Sequence, residues 1–326
     1  MFLRFILLLG VLLPVSVIAS TFGLSWDNDL FVGSDGHYTN GVRISWVGEA
    51  HDHCESNSNV TCGVADFLSP LPGIAFRDDQ HALTFSLEQM MITPKDISQS
   101  APNYNDLPYA GYSNLEMGLF SWDDDSLVGY GMRLGVVGPS SGAEQSQKLA
   151  HKVTGSDEPQ GWDNQLGTDL IGGLYFINAR RFKQFQWDSA LQGELGYAWG
   201  VDANNFHGTS SAGGFFRVGH NLPGNFIPDY AGIGTAGSLV GLFDGTGFGW
   251  EVFISTFGEY IGYSYLETHA RQYNVETRDG VLGVTAGGGV HWDTFSFTLA
   301  IQSSTSPLRS RDESASFGNM SFMWKI

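Results

Sequence analysis

Basic residues are scarce in this chain: 16 Lys and Arg stand against 34 Asp and Glu, a net charge of −18 at pH 7. Nucleic-acid phosphates are bound by clustered Lys and Arg, so this balance excludes nucleic acid as an expected partner. It also means that an anionic substrate would be bridged most simply by a divalent cation. Cysteine is equally sparse, with only Cys54 and Cys62. No zinc-ribbon spacing or paired-histidine motif accompanies them. In an oxidising compartment they are expected to close a small structural loop. Long apolar runs are missing after the N-terminus, which excludes a transmembrane helix. The one early run, residues 5–18, follows Arg4 and is too short to span a bilayer. With Val17 and Ala19 as a small-residue cleavage pattern, it predicts a signal peptide over 1–19 and a mature chain from Ser20.

What the chain has instead is alternation. Aromatics make up 13% of residues and there are 43 glycines, and apolar side chains recur at every second position in segment after segment. Phe22, Leu24 and Trp26 are followed by Leu83, Phe85 and Leu87, then by Leu115, Met117 and Leu119. The pattern continues to a last strand with Met320, Phe322, Trp324 and Ile326. Twelve such segments can be counted, each near the roughly 9–11 residues that a tilted strand needs to cross the hydrocarbon layer. The sixth is placed at about 166–182 and the ninth around Trp250, Val252 and Ile254. An even number of short amphipathic strands predicts an all-β fold. It is a twelve-stranded antiparallel transmembrane outer-membrane β-barrel, one domain over 20–326.

Parity then assigns the loops. With both termini periplasmic, the connections after odd strands, 27–38, 93–111 and 138–165, lie at the outer rim. They hold nearly every polar cluster of the chain. The connection with the cysteines, the Asp123-Asp124-Asp125 turn and the long 222–248 segment fall on the periplasmic side. The last of these is expected to be a plug-like element or a sign of a miscounted strand. Within 138–165, the run from Gly142 to Gly155 has helix formers and a terminal glycine. It predicts a helix of about three turns lying against the barrel mouth. Gln147 and His151, four apart, share one face of it, and Leu149 and Val153 share another.

The richest stretch is Asp27-Asn28-Asp29 through Tyr38-Thr39-Asn40-Gly41. So many carboxylates, amides and hydroxyls exceed what packing at a strand end requires, and they suit a hard cation or a polar substrate. Asn28 and Asp29 also fit a plain strand end, since both residue types favour turns. Adjacent strand residues point to opposite faces, so the two serve one site only if the strand bends there. His151 also fits a helix C-terminus interacting with the dipole, and Thr39 fits an ordinary strand.

The order and spacing of several motifs resemble one family, the outer-membrane lipid A deacylases of the LpxR type. These motifs are Asn28-Asp29, Tyr38-Thr39-Asn40-Gly41, Pro108-Tyr109-Ala110-Gly111, Gly138-Pro139 before a helix with His151, and Gly161-Trp162-Asp163-Asn164-Gln165-Leu166. The resemblance implies a Ca²⁺-dependent hydrolase that removes the 3′-linked acyloxyacyl group from lipid A in the outer leaflet. It also implies Asn28, Asp29, Thr39, Gln147, His151 and Asp157 as functional residues, with Asp157 standing where some relatives carry Glu. The residue chemistry agrees. An imidazole at His151 is a base near neutral pH, and Asp157 would orient it or share its charge. Asn28 and Asp29 offer hard oxygen ligands for Ca²⁺. Thr39 and Gln147 offer hydrogen bonds to a developing oxyanion. Two other readings predict different behaviour: an outer-membrane phospholipase would use a serine beside His, and a non-enzymatic small pore would conduct ions without turnover.

Overall fold

The computed structural model describes residues 20–28, 40–52, 54, 59–75, 79–187, 190–228, 247–309 and 314–326. The expected signal peptide, Asp29 and Thr39 lie outside these described residues. Twelve antiparallel strands form one closed barrel. They are β1 (Thr21–Asn28), β2 (Asn40–Val47), β3 (Gln80–Ile92), β4 (Ala110–Trp122), β5 (Ser126–Val137) and β6 (Asp169–Gln186). The second half holds β7 (Gln192–Asn204), β8 (His207–His220), β9 (Gly249–Ser264), β10 (Gly280–Trp292), β11 (Phe295–Ser304) and β12 (Ala315–Lys325). Closure comes from β1 pairing with both β2 and β12. Beside that seam, Ser20 N donates to the carbonyl of Ile326, so Ser20 and Ile326 lie together at one rim, the one that parity assigns to the periplasm. Among the described residues, three α-helices sit in the connections: α1 (Val60–Leu68), α2 (Ala143–Thr154) and α3 (Tyr265–His269).

The strand count agrees with the alternation, but some bounds do not. The sixth strand is shifted towards the C-terminus, because 166–168 belong to the loop that Leu166 ties back to Tyr109. The ninth runs on to Ser264, ending in a less regular stretch that alternation did not mark. Helix α1 was not expected at all. The disulfide was expected, and Cys54 and Cys62 are joined.

Cross-strand register defines the two faces of the wall. Leu24 lies opposite Ile44, Ile44 opposite Leu87, Leu87 opposite Leu115, and Leu115 opposite Leu134. Ile44, Leu87, Leu115 and Leu134 are all exposed, so this row faces the bilayer, and every second residue from it does too. The intervening residues point into the lumen, which is filled. At the outer end Tyr112 stacks on Phe206, with ring centroids 4.3 Å apart, and Ile92, Leu107, Leu166 and Tyr265 join them. Midway, Arg43 pairs with Glu88 at 2.8 Å, and Arg133 bonds Glu116 at 2.8 Å and also Asp202. Towards the periplasm, Phe226 and Ile227 pack with Val47, Phe120, Trp122 and Ile177. The described part of the 222–248 connection is therefore plug-like, and the strand count was not at fault.

Candidate active site on the outer face of the wall

Helix α2 does not lie across the barrel mouth. It lies on the outside of the wall, against β3 and β4. The chain leaves β5 at Gly138, whose φ of 87° suits glycine, and turns back over its neighbours. The carbonyl of Ser141 accepts from Gln89 Nε2 at 2.7 Å and from Ser113 Oγ at 2.8 Å. Gln89 and Ser113 both belong to the bilayer-facing set, being two positions from Leu87 and Leu115. Close approach is possible because residue 111 is glycine. A Cβ there would meet Ser141 Oγ at 2.1 Å and the Ala143 Cβ at 2.5 Å. Ala143 then packs with Met91, Tyr109 and Trp162.

The helix ends as expected. Gly155 adopts φ 75°, and the amides of Gly155 and Ser156 both donate to the carbonyl of His151. This reversal brings the Asp157 carbonyl back onto the His151 ring, where it contacts Nδ1. A carbonyl only accepts, so in this contact Nδ1 carries the proton. The Asp157 side chain is exposed. Its contact with His151 runs through the main chain, which Asp and Glu supply alike, rather than through the carboxylate that was expected.

Gln147 sits one turn earlier and is 1% exposed. Its Oε1 accepts from Trp162 Nε1 at 2.7 Å, while Nε2 has no partner. The free capacity of this amide is thus a donor. Trp162 fixes which way the amide points. It is held in turn by the Tyr109 ring, 5.0 Å away between centroids. Burial pushes the Tyr109 phenol up to about 12, so it is a neutral donor to the Ile97 carbonyl. Gly161 leaves room for that ring, since a Cβ would lie 2.2 Å from it. The Pro108-Tyr109-Ala110-Gly111 and Gly161–Leu166 motifs are therefore two halves of one bracket under α2. Trp162→Phe should leave Gln147 Oε1 unpaired, at a cost of about 1–3 kcal/mol. The expected sign is faster tryptic cleavage at Lys148 and Lys152 with an unchanged barrel. Equal cleavage rates would show that the bracket does not depend on this bond.

Asn28 ends β1 at the same rim, 6% exposed. Its preceding neighbour Asp27 points into the lumen, where Asn319 donates to it and to Ser25. Asn28 therefore shares the outer face with α2. Register runs Asn28 to Asn40, Asn40 to Met91 and Met91 to Gly111, the position on which α2 rests. Three strand spacings, roughly 14 Å, separate Asn28 from that seat. No cluster of three or more His, Cys, Asp or Glu suited to a metal occurs among the described residues.

A filled twelve-stranded barrel with a polar cluster on its bilayer-facing rim defines an outer-membrane protein whose candidate site lies on the wall rather than in a pore. The chain belongs to the LpxR family: the family model described as outer membrane protein LpxR matches residues 3–326. Among solved structures, LpxR from Salmonella typhimurium superposes with a TM-score of 0.72 at 16% identity, covering 94% of this chain and 100% of that one. The KdgM porin gives 0.36 at 6% identity, covering 95% and 99%. The β domain of the Bordetella autotransporter BrkA gives 0.42 at 8%, covering 95% and 100%. No curated protein sequence matches this chain.

Proposed function

We propose that this protein is a Ca²⁺-dependent lipid A 3′-O-deacylase of the outer membrane, hydrolysing the ester of the 3′-linked acyloxyacyl group. One observation carries the reading: α2 is mounted outside the barrel with His151 partly exposed and Gln147 buried one turn before it, so a leaflet lipid can reach the imidazole by lateral diffusion. A substrate with its ester near the headgroup boundary then needs neither to leave the bilayer nor to enter the lumen.

In this reading His151 Nε2 removes a proton from water, and the water oxygen adds to the ester carbonyl carbon. The Asp157 carbonyl holds the imidazole in the required tautomer and stabilises its protonated form. Gln147 Nε2 is buried and unpartnered, with Oε1 committed to Trp162, and would donate to the developing oxyanion once the ester carbonyl enters against it. As the ester C–O bond breaks, the imidazolium returns the proton to the 3′ oxygen, giving a free hydroxyl and an acyloxyacyl acid. The donor chemistry fits a hard cation: Asn28 offers an amide oxygen on the outer face, and Asp29 follows it in sequence. Asn28 and Asp29 would hold Ca²⁺, and Thr39 would add a hydroxyl to the same corner. Ca²⁺ held by these residues would supply positive charge to offset the developing oxyanion and the lipid A phosphates.

Purified protein with Ca²⁺ is expected to shorten lipid A by one acyloxyacyl unit, read by mass spectrometry. A chelator should abolish the shift, and added Ca²⁺ should restore it. Release of fatty acid from phospholipid with lipid A intact would replace this reading with the phospholipase one. Ion conductance without turnover would replace it with the pore.

A further inference from the structure

Helix α1 is the periplasmic counterpart of α2, and it too lies outside the barrel. Thr61, Cys62 and Ala65 are buried on its inner side. Ala65 packs with Ile74, Leu119 and Val128, and Val64, Leu68, Leu83 and Tyr130 border them. Leu83, Leu119, Val128 and Tyr130 are all bilayer-facing by register with the Leu87–Leu115–Leu134 row. The Tyr130 hydroxyl donates to the Pro72 carbonyl at 2.7 Å, closing the far end of the segment onto the wall. At the near end the Cys54–Cys62 disulfide and the Asn59 cap fix the first turn.

Such a helix has two free flanks, and they differ. One carries Val60 and Phe67, 75% and 80% exposed, with Leu71 beyond the end at 37%. The spacing 60, 64, 67, 71 is that of one helical stripe. The other flank carries Asp66 and Ser69. An aromatic row, Phe22, Trp46 and Phe85, runs one side-chain pair from Leu83 on the same wall face and marks the interfacial girdle. On β4 the corresponding positions are Met117 and Leu119, so the girdle lacks a ring there.

We propose that α1 is an interfacial helix seated in the periplasmic leaflet, with Val60, Phe67 and Leu71 inserted among phospholipid acyl chains and Asp66 turned to the periplasm. Its apolar flank is continuous with the lipid-facing wall, so one apolar surface extends from strand to helix. Phe67 supplies the ring that β4 omits. The disulfide holds the helix to the wall in a leaflet where it would otherwise slide off.

Nitroxide labels at Phe67→Cys, Asp66→Cys and Leu87→Cys would be compared in the full barrel, refolded in phosphatidylethanolamine/phosphatidylglycerol vesicles with the native disulfide verified by mass. The label at 67 is expected to match that at 87, with an oxygen-to-nickel-chelate accessibility ratio about fivefold above that at 66. Equal ratios at 66 and 67 would overturn the proposal. If labelling disturbs the disulfide, p-benzoylphenylalanine at position 67 in cells gives an independent reading. A photoadduct with the mass of one phospholipid supports insertion, whereas a protein adduct, or none, overturns it.

Discussion

His151→Ala is expected to lower lipid A 3′-deacylation by about 10²–10⁴-fold, the range that positioned proton transfer contributes. The barrel should survive, because His151 stands on a helix outside the wall and its replacement leaves strand pairing untouched. Heat-modifiable electrophoretic mobility checks the fold, and lipid A mass spectrometry checks the rate. The geometry also separates two roles that a single alanine scan would merge. Asp157→Ala should cost far less than His151→Ala, since the contact to Nδ1 comes from the main-chain carbonyl. A loss at Asp157→Ala equal to that at His151→Ala would mean that the carboxylate itself acts, and would contradict the tautomer argument. Full activity in His151→Ala would remove the imidazole from the mechanism.

Arg217→Ala is expected to destabilise the barrel by about 3–5 kcal/mol, the usual cost of stripping one partner from a buried ionic group. Arg217 is fully buried. It bonds Glu194, reaches Glu251 at 3.2 Å, and donates to the carbonyls of Pro223 and Asn225 at 3.1 and 2.6 Å. Removing it strands two carboxylates in the lumen and cuts the plug from the wall. Arg309→Ala is the control: its 3.0 Å pair with Asp279 is exposed on both sides and should be worth about 0–1 kcal/mol. Urea midpoints of the folded-to-unfolded mobility shift measure both. Equal losses in the two variants would show that burial of Arg217 does not decide the outcome.

Part of the local structure around the candidate site was legible in the sequence, and the limits have physical causes. Helix α2 was found because helix formers run between Gly142 and Gly155, and a glycine cap is a local signal. Gln147 and His151 were paired because a spacing of four is fixed by helix geometry alone. The bond from Trp162 to Gln147 was not legible because the two lie fifteen residues apart, across a turn with no periodicity. Helix α1 was missed because it is short and its inner face consists of Thr61, Cys62 and Ala65, too small to raise an apolar stripe. The way Asp157 meets His151 was not legible because sequence displays side chains, and here the main chain makes the contact.

The sequence by itself determined the barrel, the number of strands, which connections share one end of the barrel, and the disulfide. These follow from alternation, parity and composition, all of which are properties of near neighbours in the chain. Tertiary structure alone decided that α2 rests on the outer wall and that Gln147 keeps a free donor. It also decided that 222–228 fills the lumen and that α1 lies against the wall below Leu83. Each of these depends on close approach between distant segments, such as Ser141 over Gly111 or Arg217 against Asn225, and local periodicity carries no record of such contacts.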